Sequence, residues 1–305
     1  MNASWIGRAS RALVGAAAVA MLAACGSGSV VSDLTPQRII TVGDGFTDVG
    51  QNGYRFSVND GSNIWVQSFA ANYGLTVTPA NAGGKGYAQG GARVAAADTT
   101  SGTNAPSVTQ QIDAMLASTT LSATDDVVIV GGGIEDIVDA VAANGISDAA
   151  TAAVKAAGTA LGEQIIRLVD AGAKHVLVTG VYNLGDTPWA RKLGQQDAIT
   201  ALSVAFNSAT ELKIVDLGEN VLFIDPALLH NLMSSKPGNY SFDNDTDAAC
   251  TTPDATTCTA STIVSGADYN RWMYADDLYF TPEASRRFGT NSYSEGIYYQ
   301  FNARW

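Results

Sequence analysis

Three short acidic groups could carry chemistry in this chain: Asp44 with Asp48, Glu135 with Asp136, and Asp276 with Asp277. Carboxylates gathered at one crevice can hold Ca²⁺, which takes several oxygen ligands. A separated pair such as Glu135 and Asp276 can also act as acid and base on a glycoside. Histidine, the usual base near neutral pH, occurs only at His175 and His230. Chemistry that needs an imidazole must therefore bring one of these two to its site. Thr47 is the one hydroxyl within the first acidic group.

The elements that would position these residues are legible from hydrophobic pattern. Four short β-branched or apolar runs, at 38–43, 126–131, 175–180 and 221–225, read as buried strands. Between them lie helical patterns at 64–73, 108–116, 134–143, a long one through Val154, Leu161, Ile165 and Leu168, and 196–217. Strands alternating with helices predict an α/β domain with a parallel sheet covered on both faces. Ligands in such folds sit beyond the carboxyl ends of the strands, where the first two acidic groups fall. Asp44, Asp48, Glu135, Asp136 and Asp276 are expected to approach one crevice there. Residues 75–106 read as loop, and the Gly83–Gly86 run lacks the Ser/Thr and helix of a phosphate loop. His175 opens the third strand at the end away from the site. His230 is expected on a helix surface, and the aromatic tail from Tyr293 to Trp305 as a terminal strand.

With 46% apolar residues the 305-residue chain can bury a real core, and a formal charge of −12 argues against nucleic acid as partner. Arg8 and Arg11 precede the uncharged run from Ala12 to Ala24, the pattern of a secretory signal too short to span a bilayer. Leu22-Ala23-Ala24-Cys25 resembles the lipobox of bacterial lipoproteins, in which the cysteine is lipidated. An ordinary signal with a stray cysteine is the alternative. We expect a signal over 1–24, a lipidated Cys25 with a flexible tether over 25–37, and one domain over 38–305. The absence of Asp after Cys25 implies, by resemblance, the outer membrane. Removing the signal takes two arginines and no acid, so the net charge deepens to −14. Cys250 and Cys258 then remain in a polar insertion, 237–270, and an oxidising envelope makes a disulfide the natural expectation.

Gly43-Asp44-Gly45-Phe46-Thr47-Asp48, Ala88-Gln89-Gly90-Gly91-Ala92, Gly131-Gly132-Gly133-Ile134-Glu135-Asp136 and Asp276-Asp277-Leu278-Tyr279 stand in that order. Together with Leu184–Pro188 and Phe206-Asn207, they resemble the blocks of the GDSL or SGNH esterases and lipases, from about Arg38 to Ser292. The resemblance implies a three-layer α/β/α, flavodoxin-like sheet and ester hydrolysis by a serine, a histidine and an aspartate. It also implies that Asp44 and Asp48 hold loops by accepting backbone hydrogen bonds.

The chain departs from that pattern where the chemistry lies. Gly45 stands at the nucleophile's place, Tyr279 at the base's, and Glu135 at that of an oxyanion-hole asparagine; Gly90 and the acid Asp276 match. A glycine cannot form an acyl-enzyme, and a tyrosine with an ordinary pKa near 10 is a poor base at neutral pH. An ionised Glu135 would oppose a developing oxyanion. The expectation is an envelope lipoprotein that has lost esterase chemistry and binds an acyl or glycan ligand. The membrane is its partner through Cys25, and no cofactor is implied beyond a cation on the pocket acids. The alternatives are an ester hydrolase with an unmatched nucleophile or acid/base pair, and a structural or adhesive lipoprotein.

Overall fold

The computed structural model describes residues 34–98 and 100–305. The expected signal over 1–24 and Cys25 lie outside the described residues. Four strands, β1 (Arg38–Val42), β2 (Asp126–Val130), β3 (Val176–Thr179) and β4 (Val221–Ile224), form one parallel sheet in the order β1-β2-β3-β4. All five residues of β2 are buried, as a strand covered on both faces must be.

The loop expected over 75–106 hides one further strip of sheet. Thr41 donates its N–H to the Lys85 carbonyl (3.0 Å) and accepts from the Tyr87 N–H (2.7 Å), a parallel bridge on the outer edge of β1. In chain order the strip is second, so the sheet runs 2-1-3-4-5 and reverses direction between β1 and β2. That reversal is the topological switch point at which doubly wound sheets open a crevice. The strip escaped notice because it is glycine-rich and pairs through a single residue.

Right-handed crossovers send helices to opposite faces on either side of the switch point. α1 (Trp65–Ala71) packs with α8 (Pro282–Gly289) and, through it, α9 (Ile297–Asn302). α2 (Val108–Ser118), α3 (Ile134–Asn144), α4 (Asp148–Asp170) and α6 (Gln196–Ile214) form the other layer, joined by α5 (Pro188–Leu193), with α7 (Ala227–Ser235) following β4. Close approach of α4 and α6 needs Gly158, where a Cβ would stand 2.4 Å from the Phe206 carbonyl oxygen.

Two expectations are corrected here. The tail from Tyr293 is not a strand: Ile297 and Phe301 lie one helical turn apart, and both are buried in α9. Phe301 meets Phe69, Tyr73 and Trp305 edge-on. His230 is not on the surface but fully buried, on the same inward face of α7 as Leu229 and Met233. Its Nε2 lies 2.6 Å from the Tyr274 hydroxyl, and burial lowers its pKa to about 4. His175 sits half-buried with its ring against Trp305, at the amino end of β3.

The polar insertion forms a small lobe. β5 (Asn244–Ala248) pairs with β6 (Trp272–Tyr274), and Cys250 and Cys258 form a disulfide with Cα atoms 5.8 Å apart. The bridge packs with Val58, Ala255 and Ala275 in a core of its own. Replacing both cysteines by alanine should lower stability by about 2–3 kcal/mol, the closure entropy of so short a loop. Chemical denaturation checks this, and an unchanged midpoint would show that the bridge constrains nothing.

Candidate active site

Backbone geometry brings the acidic groups to the switch point, but most of the carboxylates are used to build it. Asp44, just beyond β1, accepts from the Phe46 N–H (3.1 Å) and from the Ile134 N–H at the start of α3 (3.2 Å). One side chain thus ties the β1 loop to the β2 loop. Asp48 accepts from Gly50, Gln51 and Gly90. Asp136 accepts from the Val94 N–H (2.9 Å) and faces Arg93, in a neighbouring groove. Burial raises Asp44 and Asp136 to about 6, against the backbone bonds that hold them down. α3 can begin here because Gly133 takes φ +114°, and a Cβ at that position would lie 2.4 Å from the Phe206 ring.

Gly45, Tyr279 and Glu135 meet in one cluster, with Tyr279 in contact with both of the others. A Cβ on Gly45 would stand 2.7 Å from Cζ of Tyr279 and 2.8 Å from its hydroxyl oxygen. The tyrosine ring therefore fills the volume that any larger residue at 45 would take. Its hydroxyl donates to Glu135 Oε1 (3.0 Å), and the Phe56 ring meets it edge-on at 4.9 Å. Burial pushes the Glu135 carboxyl up to about 8; the Tyr279 hydroxyl opposes the rise, while Asp44, Asp98 and Asp139 add to it. Burial likewise holds the Tyr279 hydroxyl far above its ordinary value, so it stays a donor.

The residues that match the esterase pattern are occupied too. Asp276 accepts from Leu278 (2.9 Å) and Tyr279 (2.6 Å) with one oxygen and from Ala255 (2.8 Å) with the other. It staples the turn that carries Tyr279 to the disulfide lobe, and burial raises it to about 6. The Gly90 N–H is spent on Asp48 (2.9 Å), and its carbonyl accepts from Thr103 Oγ1 (2.8 Å). Phe56 lies directly over Gly90, where a Cβ would come within 1.7 Å of its ring.

Of the five acids expected at one crevice, Glu135 and Asp276 line it; Asp44, Asp48 and Asp136 do not. Among the described residues no group of three His, Cys, Asp or Glu could hold a metal ion. Both oxygens of Asp276 accept from backbone donors. Thr47 Oγ1 is buried without a hydrogen-bond partner and does not line the crevice. Phe56 and Tyr54 were not singled out in the sequence, since a lone aromatic pair in a polar loop carries no pattern.

A family profile described as GDSL-like Lipase/Acylhydrolase matches residues 39–290. The chain belongs to this family. No curated protein sequence matches it at a significant level. Among solved structures, it resembles Est24, a carbohydrate acetylesterase from Sinorhizobium meliloti. The TM-score is 0.45 and the identity 13%, over 87% of this chain and 96% of that one. It also resembles phospholipase A1 from Streptomyces albidoflavus NA297, with a TM-score of 0.42 and 15% identity, over 88% and 100% of the two chains. In this GDSL-family chain, Gly45, Tyr279 and Glu135 form one packed unit.

Two predictions follow from that unit. Gly45→Ser alone should destabilise the fold by about 1–3 kcal/mol through overpacking. Adding Tyr279→His should return at least about 1 kcal/mol, a coupling that a double-mutant cycle in urea would measure. Additive effects would mean that the ring does not occupy the space over Gly45. Glu135 is protonated more readily folded than unfolded, so stability should fall as pH rises from about 4.5 to about 8. Glu135→Gln should reduce that slope, and an unchanged slope would contradict the buried, proton-holding carboxyl.

Proposed function

We propose that this protein is a non-catalytic member of the GDSL family, held at the bacterial envelope by a lipid on Cys25, and that it acts by binding. The carrying observation is the Tyr279 ring over Gly45, hydrogen-bonded to Glu135. Acyl transfer by the family's route needs a hydroxyl nucleophile, a base within hydrogen-bond reach and donors aimed at the oxyanion. Gly45 has no hydroxyl, Tyr279 stays protonated, and the Gly90 N–H already has an acceptor.

What remains is a crevice of about 460 Å³ beyond the filled site, within the size range of small-molecule pockets. Its walls come from the Tyr54–Phe56 loop, the 100–103 turn and the rim of the disulfide lobe at Pro253 and Asp254. Rigid supports hold each wall. Asp98 gathers the N–H groups of Thr100, Ser101 and Asn104, and Asn59 binds the Ala255 and Cys258 carbonyls. A preformed concave site with a closed catalytic floor favours binding without turnover.

The purified mature chain should hydrolyse p-nitrophenyl acetate and butyrate no faster than buffer between pH 6 and 9. Saturable turnover that survives repurification, and that is lost in Thr47→Ala, would establish an ester hydrolase with an unmatched nucleophile instead.

A further inference from the structure

Resting on the reading of the crevice as a binding site, we infer that its ligand is a small organic ammonium ion, held by aromatic rings and counter-charged by Glu135. Glu135, Asp254, Asp276 and Asp277 line the crevice, and among the described residues no lysine or arginine does. An anionic ligand would meet only like charge there.

These carboxylates differ in how far they are committed. Asp276 is used up by three backbone N–H groups. Asp277 is paired with Lys192. Asp254 binds the Thr256 N–H through one oxygen only and stands exposed at the rim. Glu135 is 4% exposed, and its single bond, from the Tyr279 hydroxyl, falls on Oε1. Glu135 lines the crevice, and its Oε2 carries no hydrogen bond from a described residue. A nearly buried acid with one oxygen open to a pocket supplies a counter-charge at the depth where a ligand's head would sit.

The second observation is aromatic. Tyr54, Phe56 and Tyr279 line the same crevice in a chain, Tyr54 tilted against Phe56 at 6.2 Å and Phe56 edge-on to Tyr279 at 4.9 Å. Rings beside carboxylates are the recognised surroundings of alkylammonium groups, which gain from the ring quadrupole and lose little hydration. A divalent metal fits poorly, because no three of the acids come together. A neutral polyol could bind the same oxygens but would gain nothing from a charge on Glu135.

That difference makes the test. The groups nearest Glu135 are the Tyr279 hydroxyl and the acids Asp44, Asp98 and Asp139, and the three acids oppose its ionisation. A cation must therefore displace a proton from Glu135 into solvent as it binds. Between pH 6 and 8 the affinity should rise about tenfold per unit, then flatten above the Glu135 value of about 8.

The experiment is calorimetric titration of the mature chain with choline and with its neutral isostere 3,3-dimethylbutan-1-ol. Each is run in two buffers of different ionisation enthalpy, at pH 6.5 and 8.5. The expected result is choline binding with proton release at pH 6.5, and isostere binding at least tenfold weaker at pH 8.5. Glu135→Gln should weaken choline at least tenfold at pH 8.5 and abolish the pH dependence, and Tyr54→Leu should weaken it several-fold. No choline binding, equal binding of the isostere, or binding without proton release at pH 6.5 would overturn the ammonium assignment. Ester turnover measured on the same sample separates that failure from a failure of the non-catalytic reading: a sample that neither binds choline nor turns over ester loses only the ligand class.

Discussion

The volume beside Gly45 can hold a hydrogen or an aromatic ring's neighbour, but not a second side chain, because Tyr279 already fills it. The surrounding structure follows from this exclusion. The ring must be delivered from the C-terminal block, so Asp276 fixes the backbone of Leu278 and Tyr279 and, through Ala255, ties that turn to the disulfide lobe. Its hydroxyl must find an acceptor in a dry place, and Glu135 at the start of α3 supplies one. Phe56 then closes over Gly90 and against the ring, leaving the crevice to open outward between Tyr54, the 100–103 turn and Asp254. Gly45, Tyr279 and Glu135 are thus parts of one packed structural solution.

The electrostatic cost of that solution is borne by protonation. Burying Glu135 as an ion beside Asp44, Asp98 and Asp139 would be expensive, and the carboxyl instead holds its proton to about pH 8. A neutral acid that accepts from a tyrosine can sit in an apolar floor. Once ionised, the same acid would serve as the counter-charge of the proposed ammonium ligand. Burial, with Arg191 adding to it, lowers the pKa of His230 to about 4, and its ring nitrogen faces the Tyr274 hydroxyl deep in the core.

Much of the fold was legible in the sequence because its signals are local. β-branched runs ended by glycine marked β1 and β2, and apolar spacing marked α3, α4 and α6. Gly45, Tyr279 and Glu135 could be singled out from the order of the blocks. That Tyr279 occupies the space over Gly45 could not, since 234 residues separate them and only the folded switch point brings them together. His230 and α9 were misjudged for a related reason. Each short helix buries one face against partners far along the chain, which a local pattern does not reveal. The strip at Lys85–Tyr87 joins the sheet through hydrogen bonds to Thr41, not through side chains.

The proposed absence of catalysis requires that no serine or threonine hydroxyl is activated beside the Tyr279 ring that fills the space over Gly45. Incubation of the mature protein with a fluorophosphonate, followed by intact mass measurement, tests it most directly. The account predicts a single unmodified species after exposure that fully labels a serine esterase in the same tube. A stoichiometric adduct, mapped to one serine or threonine and lost when that residue is replaced by alanine, would contradict it.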